Sequence, residues 1–136
     1  MKRYERFIAD AKKIKELGYR VFVNADSMWR YGYVVNDKDE IGYFQQGDYG
    51  FGIVFSTKHY GTRKFGSGFN LDNWDEAHSE FTREIVDRCF VRVPSHCYQN
   101  GWCRTKEERD DLENVKKYKA SEYLATCCNK DSLVEL

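Results

Sequence analysis

At Gly18 the hydrophobic period of this chain changes, and that switch limits the folds open to it. Before it, Tyr4, Phe7, Ile8, Ala11, Ile14 and Leu17 recur at three- and four-residue steps, which predicts an amphipathic helix over residues 3–17. Gly18 stands where a helix C-terminus takes a left-handed residue, and Lys12, Lys13 and Lys15 near that end suit the helix dipole. From Tyr19 onward the residues are β-branched and aromatic. Tyr19–Val23, Trp29–Val35, Glu40–Gln45 and Phe51–Ser56 read as strands, with Phe65–Phe69 as a candidate fifth. Asn36-Asp37-Lys38-Asp39 and Gln46-Gly47-Asp48-Tyr49-Gly50 are turn chemistry between them. Connections this short predict antiparallel neighbours. Gly32, Gly42 and Gly52, inside strands, point to bulges or to close packing of another backbone.

The rest of the chain reads as helical. Asp72 or Asn73 can cap a helix running to about Asp87, with Trp74, Ala77, Phe81, Ile85 and Arg88 on one face and acids opposite. Cys89–Val93 either continues it or forms an edge strand, and Pro94 ends either. After a loop over 95–104, Thr105-Lys106-Glu107-Glu108 has capping-box form and predicts a helix to about Cys127, followed by a frayed tail. At 136 residues the length prior is one domain. The expected fold is therefore α+β: a single domain in which an antiparallel sheet of four to five strands is covered on one face by about three helices.

Composition narrows the functional classes. Basic and acidic residues balance at 22 each, which gives no bulk attraction to nucleic acid or to a membrane surface. No apolar run approaches the ~20 residues that cross a bilayer. Five cysteines, an odd number, fit reduced thiols in a cytoplasm. Aromatics reach 16%, more than one small core usually needs, so some rings are expected at a recognition surface.

Charge is distributed unevenly, and one stretch stands out. No Asp or Glu occurs from Tyr49 to Leu71. Inside that span, Ser56-Thr57-Lys58-His59-Tyr60-Gly61-Thr62-Arg63-Lys64-Phe65-Gly66-Ser67-Gly68-Phe69 combines cations, hydroxyls, glycines and rings. Such a segment offers backbone N–H groups and positive charge to an anion, and ring faces to a base or sugar. Ser56, Thr57, Lys58, His59, Arg63, Lys64 and Ser67 are the candidate polar contacts, with Tyr60 stacking. The Arg fork suits a phosphate, and Lys acts as a point charge. The spacing is not that of a Walker A loop. An exposed hairpin loop, rich in Lys and Gly for ordinary reasons, would share this composition.

The run Ile41-Gly42-Tyr43-Phe44-Gln45, then Phe55-Ser56-Thr57-Lys58-His59, then Gly66-Ser67-Gly68-Phe69 resembles a pattern in small uncharacterised phage and plasmid proteins. There it takes the form I-G-Y-x-Q, S-T-x-H and G-T-G-F; Ser67 here replaces the Thr. The likeness covers roughly residues 40–70. It implies a mobile-element origin, and small phage proteins of this kind often inhibit host defence or bind its signals.

Other constellations carry less. Cys97 and Cys103, near His96, are spaced too widely for a zinc knuckle, and Cys127 and Cys128 are adjacent, so no metal site is expected and buried thiols fit better. His59 beside Lys58 and Tyr60 would suit acid/base work, but its local sequence supplies no carboxylate for hydrolysis, and Asp26, Asp37, Asp39, Asp48 and Asp72 could join it only by converging in space; His78 reads as a helix residue, and no cofactor is expected. Trp29, Tyr31 and Tyr33 share a strand face, fitting core better than base stacking.

The leading expectation is a cytoplasmic binding protein, not an enzyme, for a phosphate-bearing ligand (a nucleotide signal or nucleic acid) or for a host defence protein. An exposed edge strand would allow a homodimer. One alternative is an inhibitor that mimics nucleic-acid phosphates with Asp75, Glu76, Glu80 and Glu84 on an acidic helix; another is a phosphodiester-cleaving enzyme.

Overall fold

A computed structural model describes residues 2–24, 30–56, 74–90, 119–126 and 130–136. The first helix, α1, spans Arg3–Glu16 and ends where expected, with Gly18 at φ 103°. Strands β1 (Arg20–Asn24), β2 (Tyr31–Val35), β3 (Ile41–Gln46) and β4 (Ile53–Ser56) follow. They are joined by β5 (Trp74–His78) and β6 (Leu133–Glu135) into one antiparallel sheet of order β5-β4-β3-β2-β1-β6. Two short α-helices, α2 (Arg83–Asp87) and α3 (Ala120–Thr126), and two 3-10 turns, Asp48–Gly50 and Lys130–Ser132, are also described. The α+β class is as read from the sequence.

Three expectations need correction. Among the described residues the sheet has six strands, not four to five. Over the described residues 74–87, the expected helix is instead a strand, a turn and one short helix. Trp74–His78 pairs with β4 through Ile53↔His78, Val54↔Ala77 and Ser56↔Trp74. Trp-Asp-Glu-Ala-His has little strand propensity of its own; the open edge of β4 imposes the extended form. Helix begins only after Thr82, whose Oγ1 accepts from the Ile85 N–H at 3.3 Å. The tail is not frayed either: after a 3-10 turn at Lys130–Ser132, β6 pairs with β1, and Leu136 N donates to the Val21 carbonyl at 2.9 Å. The candidate strand at 65–69, and the expected helix before residue 119, lie outside the described residues.

Strand alternation sorts the core into two layers. On one face Val21, Val23, Val34, Phe44, Ile53 and Phe55 pack under Phe7, Ala11 and Ile14 of α1 and Val86 of α2, all fully or almost fully buried. On the other, Tyr33, Val35, Ile41 and Tyr43 pack with Ala120 and Tyr123 of α3. The helices therefore cover both faces rather than one. Tyr31 and Tyr33 do belong to this second core layer: Tyr33 lies 5.1 Å from Tyr123 ring to ring, and their hydroxyls are 2.8 Å apart. Trp29 lies outside the described residues.

Gly42 explains how α2 comes so close to the sheet. A Cβ there would clash with the Cys89 side chain, so the buried thiol fills the hollow that glycine leaves. Burial pushes the Cys89 thiol well above its ordinary pKa, as expected of an inert core cysteine.

Candidate functional site

The β2–β3 turn lines a cleft among the described residues. Asn36 shapes it, its Oδ1 accepting from the N–H groups of Lys38 at 3.1 Å and Glu40 at 2.9 Å. Its Nδ2 donates to Glu40 Oε1 at 3.0 Å. This is the self-bonding behaviour that makes Asn a turn residue. Asp39 takes the left-handed conformation, φ 60°, and turns to the opposite face, where it holds the start of α3. Its Oδ1 and Oδ2 accept from Ser121 N at 3.2 Å and Ser121 Oγ at 2.8 Å, and its carbonyl accepts from Ala120 N at 2.7 Å.

The cleft has a volume of about 410 Å³. One wall is the turn, with Asn36, Asp37, Lys38 and Glu40. A second is Gly18 and Tyr19, where α1 passes into β1, and the third is α2 and its exit, with Arg83, Asp87 and Phe90. The Arg83 guanidinium lies 5.1 Å over the Tyr19 ring. Gly18 leaves room for it, since a Cβ there would sit 2.8 Å from Arg83 Nη2. Phe90 packs against Tyr19 with ring centroids 5.8 Å apart, and Tyr19 OH donates to Asp87 Oδ1 at 2.6 Å. Burial first, then the Asp87 hydrogen bond and charge, push the Tyr19 hydroxyl up to about 12, with Arg83 opposing. Tyr19 is thus a neutral, fully engaged support that fixes where the guanidinium stands.

The electrostatics are mixed. Lys38 and Arg83 line the same cleft as the carboxylates of Asp37, Glu40 and Asp87. Among the described residues, neither Lys38 nor Arg83 forms an ion pair, whereas Lys13, Arg20 and Arg88 do. Two positive groups lining one cleft without an ion-pair partner among the described residues are available to an anion from solution.

Of the residues singled out from the sequence, Ser56 ends β4, opposite Trp74. It lies at the level of Tyr43 on β3, with β4 running toward the turn end of the sheet. Thr57, Lys58, His59, Tyr60, Arg63, Lys64 and Ser67 lie outside the described residues, as do His96, Cys97, Cys103, Cys127 and Cys128. His78 is on β5, not on a helix; its Nε2 is 3.4 Å from Asp75 Oδ2, which also accepts from Arg88 Nη1 at 3.2 Å. Burial alone would raise the Asp75 carboxyl, but the Glu76 amide, Arg88 and His78 together hold it below the usual range. The acidic face of the competing reading does not exist as drawn. Asp75 and Glu76 are on β5, Glu80 is in the turn and Glu84 is on α2. Among the described residues no group of three or more His, Cys, Asp or Glu is placed to hold a metal ion, and no helix is long and apolar enough to cross a membrane.

Lys38, Arg83, Tyr19 and Gly18 were not marked as functional by the sequence. Each had an ordinary local role there, as turn, helix, strand or cap, and only the sheet brings the three segments together. The chain matches no family model, no curated protein and no solved structure.

Proposed function

We propose that this chain is a small binding protein that acts by occupancy and holds a phosphate-bearing ligand at the turn end of its sheet. The observation that carries this reading is the pair Lys38 and Arg83, which line one cleft, from the turn and from α2, with no ion-pair partner among the described residues. Arg83 is also held in place by Tyr19 and by the space at Gly18, so little freedom is lost when it grips an oxyanion. A second support is connectivity. The cationic stretch that follows β4, acid-free as far as Leu71, lies between Ser56 and Trp74, which are partners across β4 and β5. In this reading Thr57, Lys58, His59, Tyr60, Arg63, Lys64 and Ser67 add to the same anionic contact. The resemblance to phage and plasmid proteins makes the ligand a nucleotide signal of a host cell and the outcome a blunted host response.

Isothermal titration with nucleotides tests this against two variants, Lys38→Ala/Arg83→Ala and Lys58→Ala/Arg63→Ala. Lys38 and Arg83 are exposed, so the first variant should keep its thermal midpoint. A charge-assisted hydrogen bond contributes about 1.5–3 kcal/mol, so each variant should lose at least about tenfold in affinity. Unchanged binding by both variants would refute the reading.

A further inference from the structure

We infer that the end of the sheet opposite the cleft docks single-stranded nucleic acid, with Phe51 stacking on a base and Arg3, Arg6 and Arg30 supplying charge to the backbone phosphates. The site is separate from the cleft and does not depend on what the cleft takes. Phe51 is 61% exposed, the most open large hydrophobic side chain among the described residues. The turn that presents it is tied at both ends. Gly47 N donates to the Gly52 carbonyl at 2.9 Å, and Phe51 N to the Asp48 carbonyl at 3.2 Å. Gln46 Nε2 donates to the Arg3 carbonyl at 2.7 Å and to the Gly50 carbonyl at 3.3 Å, which locks the turn to the start of α1. The stem of Arg3 lies against Gly50, where a Cβ would sit 2.9 Å from Arg3 Cγ. A ring fixed in solvent by its own turn loses little freedom on contact.

Positive charge surrounds that ring. The Arg6 guanidinium lies over it, 4.9 Å from the centroid, and the 61% exposure leaves the other face to a partner. Arg30 comes to the same end from β2: its carbonyl accepts from Gln46 N at 2.8 Å, and strand alternation puts it on the face of Gly32 and Val34, which α1 covers. Arg30 Nε is buried with no hydrogen-bond partner among the described residues. Arg3, Arg6 and Arg30 form no ion pair among the described residues. The nearby acids are Glu5, whose Oε2 accepts from Lys2 N at 3.4 Å, and Asp48 in the turn. A nucleic-acid strand alternates flat rings with phosphates, and this surface sets a flat ring among guanidiniums. Stacking tolerates any base, because each has a π-face. With no net charge on the whole chain, the attraction is local to this end.

The test is fluorescence anisotropy of the full chain with a labelled oligothymidylate, an abasic oligonucleotide of the same length and polyglutamate. The oligothymidylate should bind saturably, and the abasic strand at least about fivefold more weakly. Phe51→Ala should weaken the oligothymidylate by a similar factor, keep the slope of affinity against salt and keep the thermal midpoint, since the ring is exposed. Phe51→Trp should retain the affinity. Arg3→Gln/Arg6→Gln should lower the salt slope by about 1. Lys38→Ala/Arg83→Ala should bind the strand as the unaltered chain does. Strand affinity lost in that cleft variant and untouched in Phe51→Ala overturns the inference and leaves the cleft reading standing. Absence of saturable strand binding also overturns it. Polyglutamate binding as tightly as the oligothymidylate does so too, and assigns the surface to an acidic protein segment instead.

Discussion

Gly42 has room for a hydrogen and nothing larger. The Cys89 Sγ occupies the space where a side chain would begin, on the face where α2 meets the sheet. Gly42→Ala should therefore overpack the core and cost about 1–3 kcal/mol in chemical denaturation. Cys89→Ala in the same chain should recover part of that loss, because it removes the clashing sulfur; an additive double variant would show that the two residues do not meet. Gly18 has a different constraint. Its φ of 103° is left-handed, and the nearby Arg83 guanidinium lies where a Cβ would crowd it. Glycine there serves the helix end and the cleft at once, so a helix-stop signal in the sequence also marks a binding wall.

At the scale of elements, α1 and the first four strands were legible because each carries its own signal. α1 has a six-residue apolar stripe, and the strands are runs of Val, Ile, Tyr and Phe between Asn, Asp and Gly turns. β5 was not legible, since Trp74, Ala77, Phe81 and Ile85 recur at helical spacing and five residues of low strand propensity gave no counter-signal. Pairing with β4 decides it, and pairing is a tertiary fact. β6 has only three residues, too few for any period. Its attachment includes the Arg20–Glu135 ion pair, with Nη2 2.9 Å from Oε1. The Arg20 hydrogen bonds are the main reason the Glu135 carboxyl sits below its ordinary value of 4.5. A depressed acid stabilises above its unfolded value and loses that contribution as pH falls through its folded value. Both side chains are substantially exposed, so screening limits the pair to about 0.2–1 kcal/mol. Hydrogen-exchange protection of the Leu136 amide, corrected for intrinsic rates, should fall by a few-fold between pH 5.5 and pH 3. Glu135→Gln should abolish that pH dependence; an unchanged dependence would place its origin elsewhere.

The whole molecule assembles its cleft from segments far apart in the chain. Gly18 and Tyr19 meet the turn at 36–40 because β1 starts beside the end of β2, Arg20 opposite Val35, whereas β5 ends at the other end of the sheet and α2 reaches the cleft by coming back along the face. No single window of sequence contains two of these walls, which is why Lys38 and Arg83 read as ordinary surface residues. The cationic stretch at 57–73 was visible from composition alone, but composition states what a ligand would like and not where it would sit. The pair Lys38 and Arg83 provides a place. The measurement that bears on this most directly is a backbone amide chemical-shift titration with inorganic phosphate. The account predicts saturating shifts at Gly18, Lys38, Arg83 and Asp87 that fit one dissociation constant. Shifts spread without saturation over solvent-exposed lysines such as Lys12 and Lys130, with those four amides unmoved, would contradict it.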